Sequence, residues 1–226
     1  MRNDHWTYKP KKSLMSSAPH IANASQTLDS RVLFTRADPL AEVGLRHVTS
    51  GVLDFAADEL WFCLRGAARF GDIMVEQGDV IHFKEGWRDA AEVKDAFVAS
   101  YMRCPGGPSD RTPVLRGALT AEPLVDRGPV STMIEGQSHT AGILMSREHP
   151  ESGRRAESGI WTCTPGIWRC GVSKDEFCHF IAGRATYWHE SGDVIAIEPD
   201  TLACFPAGWN GVCEVHETVR KVYMIR

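Results

Sequence analysis

Apolar residues in this chain come in short runs rich in Val, Ile, Phe, Trp and Thr. Turn signals interrupt them roughly every 8 to 12 residues: Ser50-Gly51, Gly71-Asp72, Gln77-Gly78-Asp79, Pro165-Gly166, Ser191-Gly192-Asp193 and Ala207 to Gly211. No stretch keeps a 3.6-residue apolar period over three turns, so the pattern predicts an all-β chain whose few helices are short and peripheral. Two runs, DELWFCL from Asp58 and DEFCHFI from Asp175, are apolar on both faces. Strands covered on both sides have that composition.

Those two runs are also versions of one another. Asp58, Glu59 and Gly66 fall on Asp175, Glu176 and Gly183 at a constant offset of 117. Upstream, HVTSGVLDF (47–55) matches TCTPGIWRC (162–170) at 115; downstream, EGW (85–87) matches AGW (207–209), Glu92-Val93 matches Glu214-Val215 and Tyr101 matches Tyr223, all at 122. A unit of this length exceeds a solenoid repeat and has the size of a small domain. Two like lobes follow, residues 31–104 and 131–226. Residues 105–130, dense in Pro and Gly, read as a connector, and residues 1–30, without periodicity, as a mobile arm in which Met15 is a second candidate start.

Composition narrows the classes. With 226 residues and 43% apolar content, each lobe can bury a core without disulfide or metal staples. A formal charge of -4 and the lack of a basic block argue against nucleic acid as a partner. No apolar run is long enough for a membrane helix, and no secretory h-region opens the chain, which predicts a cytoplasmic protein with no membrane partner. The seven cysteines form no CxxC pair and mostly sit inside apolar runs, as reduced buried thiols do.

Many short strands in units of this size point to a sandwich or small barrel. In each copy a glutamate and a glycine frame an E-x6-G strand, followed by a hairpin and a turn ending in x-G-W; the second copy runs EFCHFIAG, then SGDVIAIEPDTLACFPAGWNG. With Pro206-Ala207-Gly208, these residues resemble the cupin superfamily. More narrowly, GIWTCTPGIWRC, DEFCHFIAG, FPAGWNG and EVHETVRKVY look like the branch that includes (S)-ureidoglycine aminohydrolase and ethanolamine-utilisation Q-like proteins. The resemblance implies a bicupin: two tandem RmlC-like jelly-roll β-barrels.

Metal-binding cupins are similar to one another in an H-x-H pair before the strand glutamate and a histidine after the P-x-G turn. Here the paired positions before Glu176 hold Arg169 and Gly171, or Cys170 and Val172, and the distal one holds Gly211, so three imidazoles and a carboxylate cannot assemble in the second lobe. No cofactor is expected. In the first lobe Asp54, Glu59 and Asp89 form an alternative, a carboxylate set for a hard cation, against the plainer reading of Asp54 and Asp89 as rim residues.

An inward carboxylate in a narrow barrel needs a cation or hydrogen bonds to offset its desolvation. For Glu176 the expected partner is Arg169, which pairs either with the glutamate alone or with a ligand as well. Asp54 takes the matching place in the first lobe. Alternation puts Cys178 and Phe180 on the face of Glu176, and Phe177, His179 and Ile181 on the other; His82 has a similar standing to His179. Trp61 and Trp168 are expected to line the barrels, and Trp87 and Trp209 to fill core or mouth. Cys170, Cys178, Cys204 and Cys213 lie on second-lobe strands without a base to activate a thiol.

Two functions remain. One is a metal-free or metal-poor bicupin that binds a small polar metabolite in an accessory or regulatory role, with Arg169, Glu176, Cys178, Trp168, Glu59 and Trp61 as ligand-binding residues. The alternative is a metal-dependent small-molecule hydrolase resembling ureidoglycine aminohydrolase. The two lobes are expected to form an intrachain pseudo-dimer, and a homodimer stays open.

Overall fold

The structure, a computed structural model, describes residues 6–8, 28–37, 40–106, 112–147 and 156–226. Every regular element among them is a β-strand, so the short peripheral helices expected from the sequence do not occur in the described residues. Two compact units emerge. Residues 28–37, 40–106, 112–118, 145–147 and 156 form the first lobe, and residues 6–8, 119–144 and 157–226 the second.

These limits differ from those expected, because segments read as arm and connector supply strands. Trp6–Tyr8 pairs with Thr201–Phe205, and Leu28–Ala37 pairs with Leu40–Val48. Within the expected connector, Val114–Leu115 pairs with Val80–Phe83 and Val125–Pro129 with His139–Ser146. All four are edge strands of their sheets. Proline and glycine exclude a central strand, which must donate on both sides, but an edge strand tolerates them. The rest of the expected arm, Met15 included, and residues 107–111 lie outside the described residues.

In the first lobe a six-stranded sheet runs in the order Val114–Leu115, Val80–Phe83, Asp58–Arg65, Phe97–Cys104, Leu40–Val48, Leu28–Ala37. A four-stranded sheet runs Gly51–Asp54, Arg88–Val93, Ala67–Phe70, Ile73–Glu76. In the second lobe the corresponding strands join into two long ones, Glu176–His189 and Asn210–Ile225, which pair along most of their length and bend at register shifts near Phe180 to Ala185. The glycine that closes each E-x6-G stretch sits at positive φ, +84° at Gly66 and +80° at Gly183. A Cβ there would meet the carbonyl oxygen of Ala96 or of Thr218 at about 2 Å, so only glycine lets the adjacent strands approach.

The cores lie inside the lobes. Phe55, Trp61, Phe70, Phe83 and Phe97, all buried, pack ring against ring in the first, with Phe55 stacked on Phe83 at 4.4 Å. Trp168, Cys178, Phe180, Tyr187, Phe205, Trp209 and Cys213 fill the second, where thiols take the place of some rings.

Candidate functional site

Strand parity turns Glu59, Trp61 and Cys63 inward in the first lobe, and Glu59 there is held on all sides. The Arg46 guanidinium, from the strand Leu40–Val48, grips it bidentately: Nε donates to Oε2 at 3.1 Å and Nη2 to Oε1 at 2.6 Å. Trp61 Nε1 donates to Oε2 at 2.8 Å, and Arg103 Nε lies 3.7 Å from Oε1. Arg46 in turn lies 3.7 Å above the Tyr101 ring and reaches the Ser30 hydroxyl. Tyr101 donates its O–H to Glu42 Oε1 at 3.1 Å. A planar fork with both carboxylate oxygens engaged is the strongest pairing available to a buried acid.

In the second lobe Glu176 is answered by Lys221, whose Nζ donates to Oε1 at 2.8 Å. The ammonium lies 4.5 Å over the Trp161 ring, directly across the strand pair, and 5.7 Å from that of Phe180. Burial alone pushes the Lys221 ammonium down in pKa, but Cys178 and Glu176 reverse that and hold it above its usual range. Cys178 is itself pushed well up by burial and so stays a neutral thiol near pH 7, which leaves Glu176 as the anion that keeps Lys221 charged. The pair is less enclosed than its counterpart: the Glu176 side chain is 17% exposed against 5% for Glu59. Nearby, Tyr223 donates to Glu157 Oε1 at 3.1 Å, the same bond that Tyr101 makes with Glu42.

Burial holds the thiols around this pair in their neutral form near pH 7. Burial pushes Cys163 and Cys170 up to about 11 and Cys213 higher still. Thiolate is the reactive form, so at neutral pH these side chains act as soft apolar walls.

The acidic residue beside each glutamate faces the other way. Asp58 is fully buried, accepting from His82 Nε2 at 3.0 Å, Lys84 Nζ at 2.7 Å and the Glu85 amide at 2.9 Å. Burial raises its pKa, and the bonds and charges of His82 and Lys84 outweigh this and hold it below the usual carboxylate value. Asp175 accepts from the Ala207 amide at 2.9 Å, in the matching turn. Both aspartates thus tie the x-G-W turns to the glutamate strands. His179 also lies on the outer side, fully buried with Nε2 3.6 Å from Asp200. Both histidines therefore sit away from the interior glutamates.

Several expected site residues lie elsewhere. Arg169 does not meet Glu176: on the strand Gly166–Gly171 it is Trp168 that turns inward, 6% exposed, which leaves Arg169 in solvent. Inward parity on this strand belongs to Trp168, one residue from the expected Arg169, and a one-residue slip moves a side chain to the other face. Asp54 is likewise outward, its side chain 61% exposed and 3.7 Å from Arg88, while Asp89 is exposed and Glu59 is already gripped by Arg46. The three carboxylates do not converge. Cys204 pairs with Phe177 and shares its outer face, whereas Trp61, Trp168 and Cys178 line the interiors and Trp209 is wholly buried core. Trp87, half-buried, packs on Phe55 and Phe83.

The sequence reading missed Arg46 and Lys221. For Lys221 the signal is in the sequence, two residues from the recurring Tyr223 and so on its face; Arg46 is brought to the matching face only by the register, two residues from Gly44, which pairs with Tyr101.

The metal that some cupins hold finds no fitting donors among the described residues. Among the described residues no three His, Cys, Asp or Glu side chains are placed to hold an ion, and each interior glutamate has an ammonium or guanidinium where a metal would need its oxygens.

Comparison with known proteins agrees with this architecture. Residues 150–223 match the family model described as a EutQ-like cupin domain. No curated protein matches the chain. Among solved structures, the chain is similar to a DUF861-family protein from Pseudomonas syringae pv. tomato, at 16% identity over 87% of this chain and 86% of that one, with a TM-score of 0.70. A cupin 2 conserved barrel domain protein from Leptotrichia buccalis gives 10% identity over 97% and 95%, with a TM-score of 0.62. The E. coli protein Ylba, of the DUF861 family, gives 8% over 100% and 91%, with a TM-score of 0.63. At these identities the likeness concerns fold alone: the chain is an all-β protein with a fold like that of cupin barrels, and residues 150–223 match a EutQ-like cupin domain.

Proposed function

We propose that the chain is a metal-free bicupin in an accessory or regulatory role, and that its second lobe binds a small polar metabolite at the Glu176–Lys221 pair. The observation that supports this is the contrast in enclosure. Glu59 is closed off by a bidentate arginine and an indole N–H, whereas Lys221 meets one oxygen of Glu176 and the carboxylate is partly exposed. Trp161, Cys170 and Cys178 supply the soft walls, and Trp168 the floor, of such a site.

The pair also restricts the ligand. In an apolar interior a lone anion leaves Glu176 without its cation, and a lone cation leaves Lys221 without its anion; both cost several kcal/mol, on the order expected for an unpaired buried charge. A net-neutral group that offers an acceptor to Lys221 and a donor to Glu176 keeps the balance. Amides, ureides and zwitterions meet that condition. The donor set does not fit a metal, and the proposed site holds its ligand through the ion pair alone. All seven cysteines are free thiols, which suits a reducing, cytoplasmic setting.

The test is thermal-shift titration of chelator-treated full-length protein with small amides, ureides, amino acids and carboxylic acids. A net-neutral donor–acceptor compound is expected to raise the midpoint of the wild type and of Arg169→Ala but not of Lys221→Met. Equal shifts in all three proteins would remove the ligand from this pair.

A further inference from the structure

The outward face of the four-stranded sheet of the first lobe and that of the corresponding strand stretches in the second lobe carry different chemistry at matching positions. In the first lobe exposed ion pairs lace that face, Arg69 with Glu92 at 3.8 Å and Arg88 with Asp54 at 3.7 Å. Where Arg69 stands opposite Glu92, the second lobe sets Thr186 opposite Glu214. Because Trp168, Tyr187, Ile195 and Cys213 point into the core, their neighbours point out. Trp188 lies between Val194 and Val212, and Val212 lies beside Arg169. Val194 is 60% exposed, and Ile134, on the adjoining strand Met133–Gly136, is 53% exposed. A solvated face in one lobe is thus an aromatic and aliphatic face in the other.

We propose that this face of the second lobe is a self-association surface, covered by a second copy of the chain. Its charges are what select that occupant. Arg169 pairs with Val212, and Glu214 lies two residues along the same strand and opposite Ile167, so a cation and an anion sit diagonally on one face. The Glu214 carboxylate has the exposed His216 ring 3.4 Å away. A two-fold axis between Arg169 and Glu214 brings the Arg169 of each copy against the Glu214 of the other and stacks Val212 and Ile167 at the centre. Such an isologous contact needs one patch that is complementary to itself, and this patch is. Beside Val212, Trp188 with its flanking valines extends the contact along the axis, so that indole burial adds to the apolar centre while the Arg169–Glu214 charges set register.

Sedimentation velocity on the full chain tests the proposal. The wild type is expected to dimerise, and so is Val52→Glu, a substitution of the same kind on the outward face of the first lobe. Val194→Glu and Arg169→Glu are expected to raise the dissociation constant by at least about tenfold. The double charge swap Arg169→Glu/Glu214→Arg is expected to return it to within about threefold of the wild type, since the pair re-forms with its signs exchanged. Val194 is exposed, so its variant keeps the fold, with circular dichroism as the control. A wild type that stays monomeric at the highest concentrations overturns the proposal and leaves the face to a different partner or to water. So does a dimer that survives both single substitutions, or a swap that fails to restore it.

Discussion

In both lobes one cross-strand pair carries the cation that answers the interior glutamate, but the two lobes place it on opposite strands. In the first lobe the pair is Arg46 and Ala99; in the second the matching pair is Trp161 and Lys221. Each cation lies over an aromatic ring, Arg46 over Tyr101 and Lys221 over Trp161. What recurs is therefore a charge at a point in space, not a residue at a position in sequence. An inward carboxylate in a low-dielectric barrel demands that charge, and either strand of the pair can supply it. The identity of the cation then sets the character of the site: a guanidinium fork occupies both carboxylate oxygens, whereas an ammonium occupies one.

Removing the first-lobe cation is expected to have the largest effect. Arg46→Met leaves the buried Glu59 with only the more distant Arg103 as a cation, and urea unfolding is expected to show a loss of about 3 kcal/mol. Adding Glu59→Gln, which can still accept from Trp61, should recover stability to within about 1 kcal/mol of the wild type. A double variant as unstable as the single would mean that Arg46 acts through packing on Tyr101 and not through charge.

The outward aspartates sharpen the contrast between charge inside and charge behind the sheet. Asp58→Asn keeps the shape but weakens the bonds to His82 and Lys84, an expected loss of about 2–3 kcal/mol at neutral pH. The sign of the pH dependence follows from the depressed pKa of Asp58. Its contribution is present above the carboxylate value of the unfolded chain, about 3.9, and is lost as pH falls through the lower folded value. Wild-type stability should therefore decline below about pH 4, and the variant should decline less steeply there. Parallel acid profiles would count against the role given to Asp58.

Much of this was legible in the sequence, and the failures have physical causes. The all-β character followed from short β-branched and aromatic runs, and the two interior glutamates from the matched DELWFCL and DEFCHFI strands. The edge strands Trp6–Tyr8, Val114–Leu115 and Val125–Pro129 were hidden, because an edge strand needs half the backbone donors and little apolar patterning. Arg169 was placed inside by counting across the loop before Glu176, where parity has no anchor. Counting from Tyr223 back to Lys221 stays within one strand and would have given the partner. Arg46 escaped because its own segment, AEVGLRHV, has no acidic motif to draw attention, and only the cross-strand register brings it to Glu59.

The pairing of Glu176 with Lys221 is tested most directly by a double-mutant cycle of Glu176→Gln and Lys221→Met, measured by urea unfolding of the chelator-treated full chain. Because the pair is partly exposed, a coupling energy of about 2 kcal/mol is expected, below that of a wholly enclosed pair. The raised pKa of Lys221 means the coupling should persist from neutral pH up to about 10.5, the value of an unperturbed lysine, and fade as pH rises beyond it. A coupling near zero at neutral pH, or one that emerges only when a divalent metal is added back, would contradict the account.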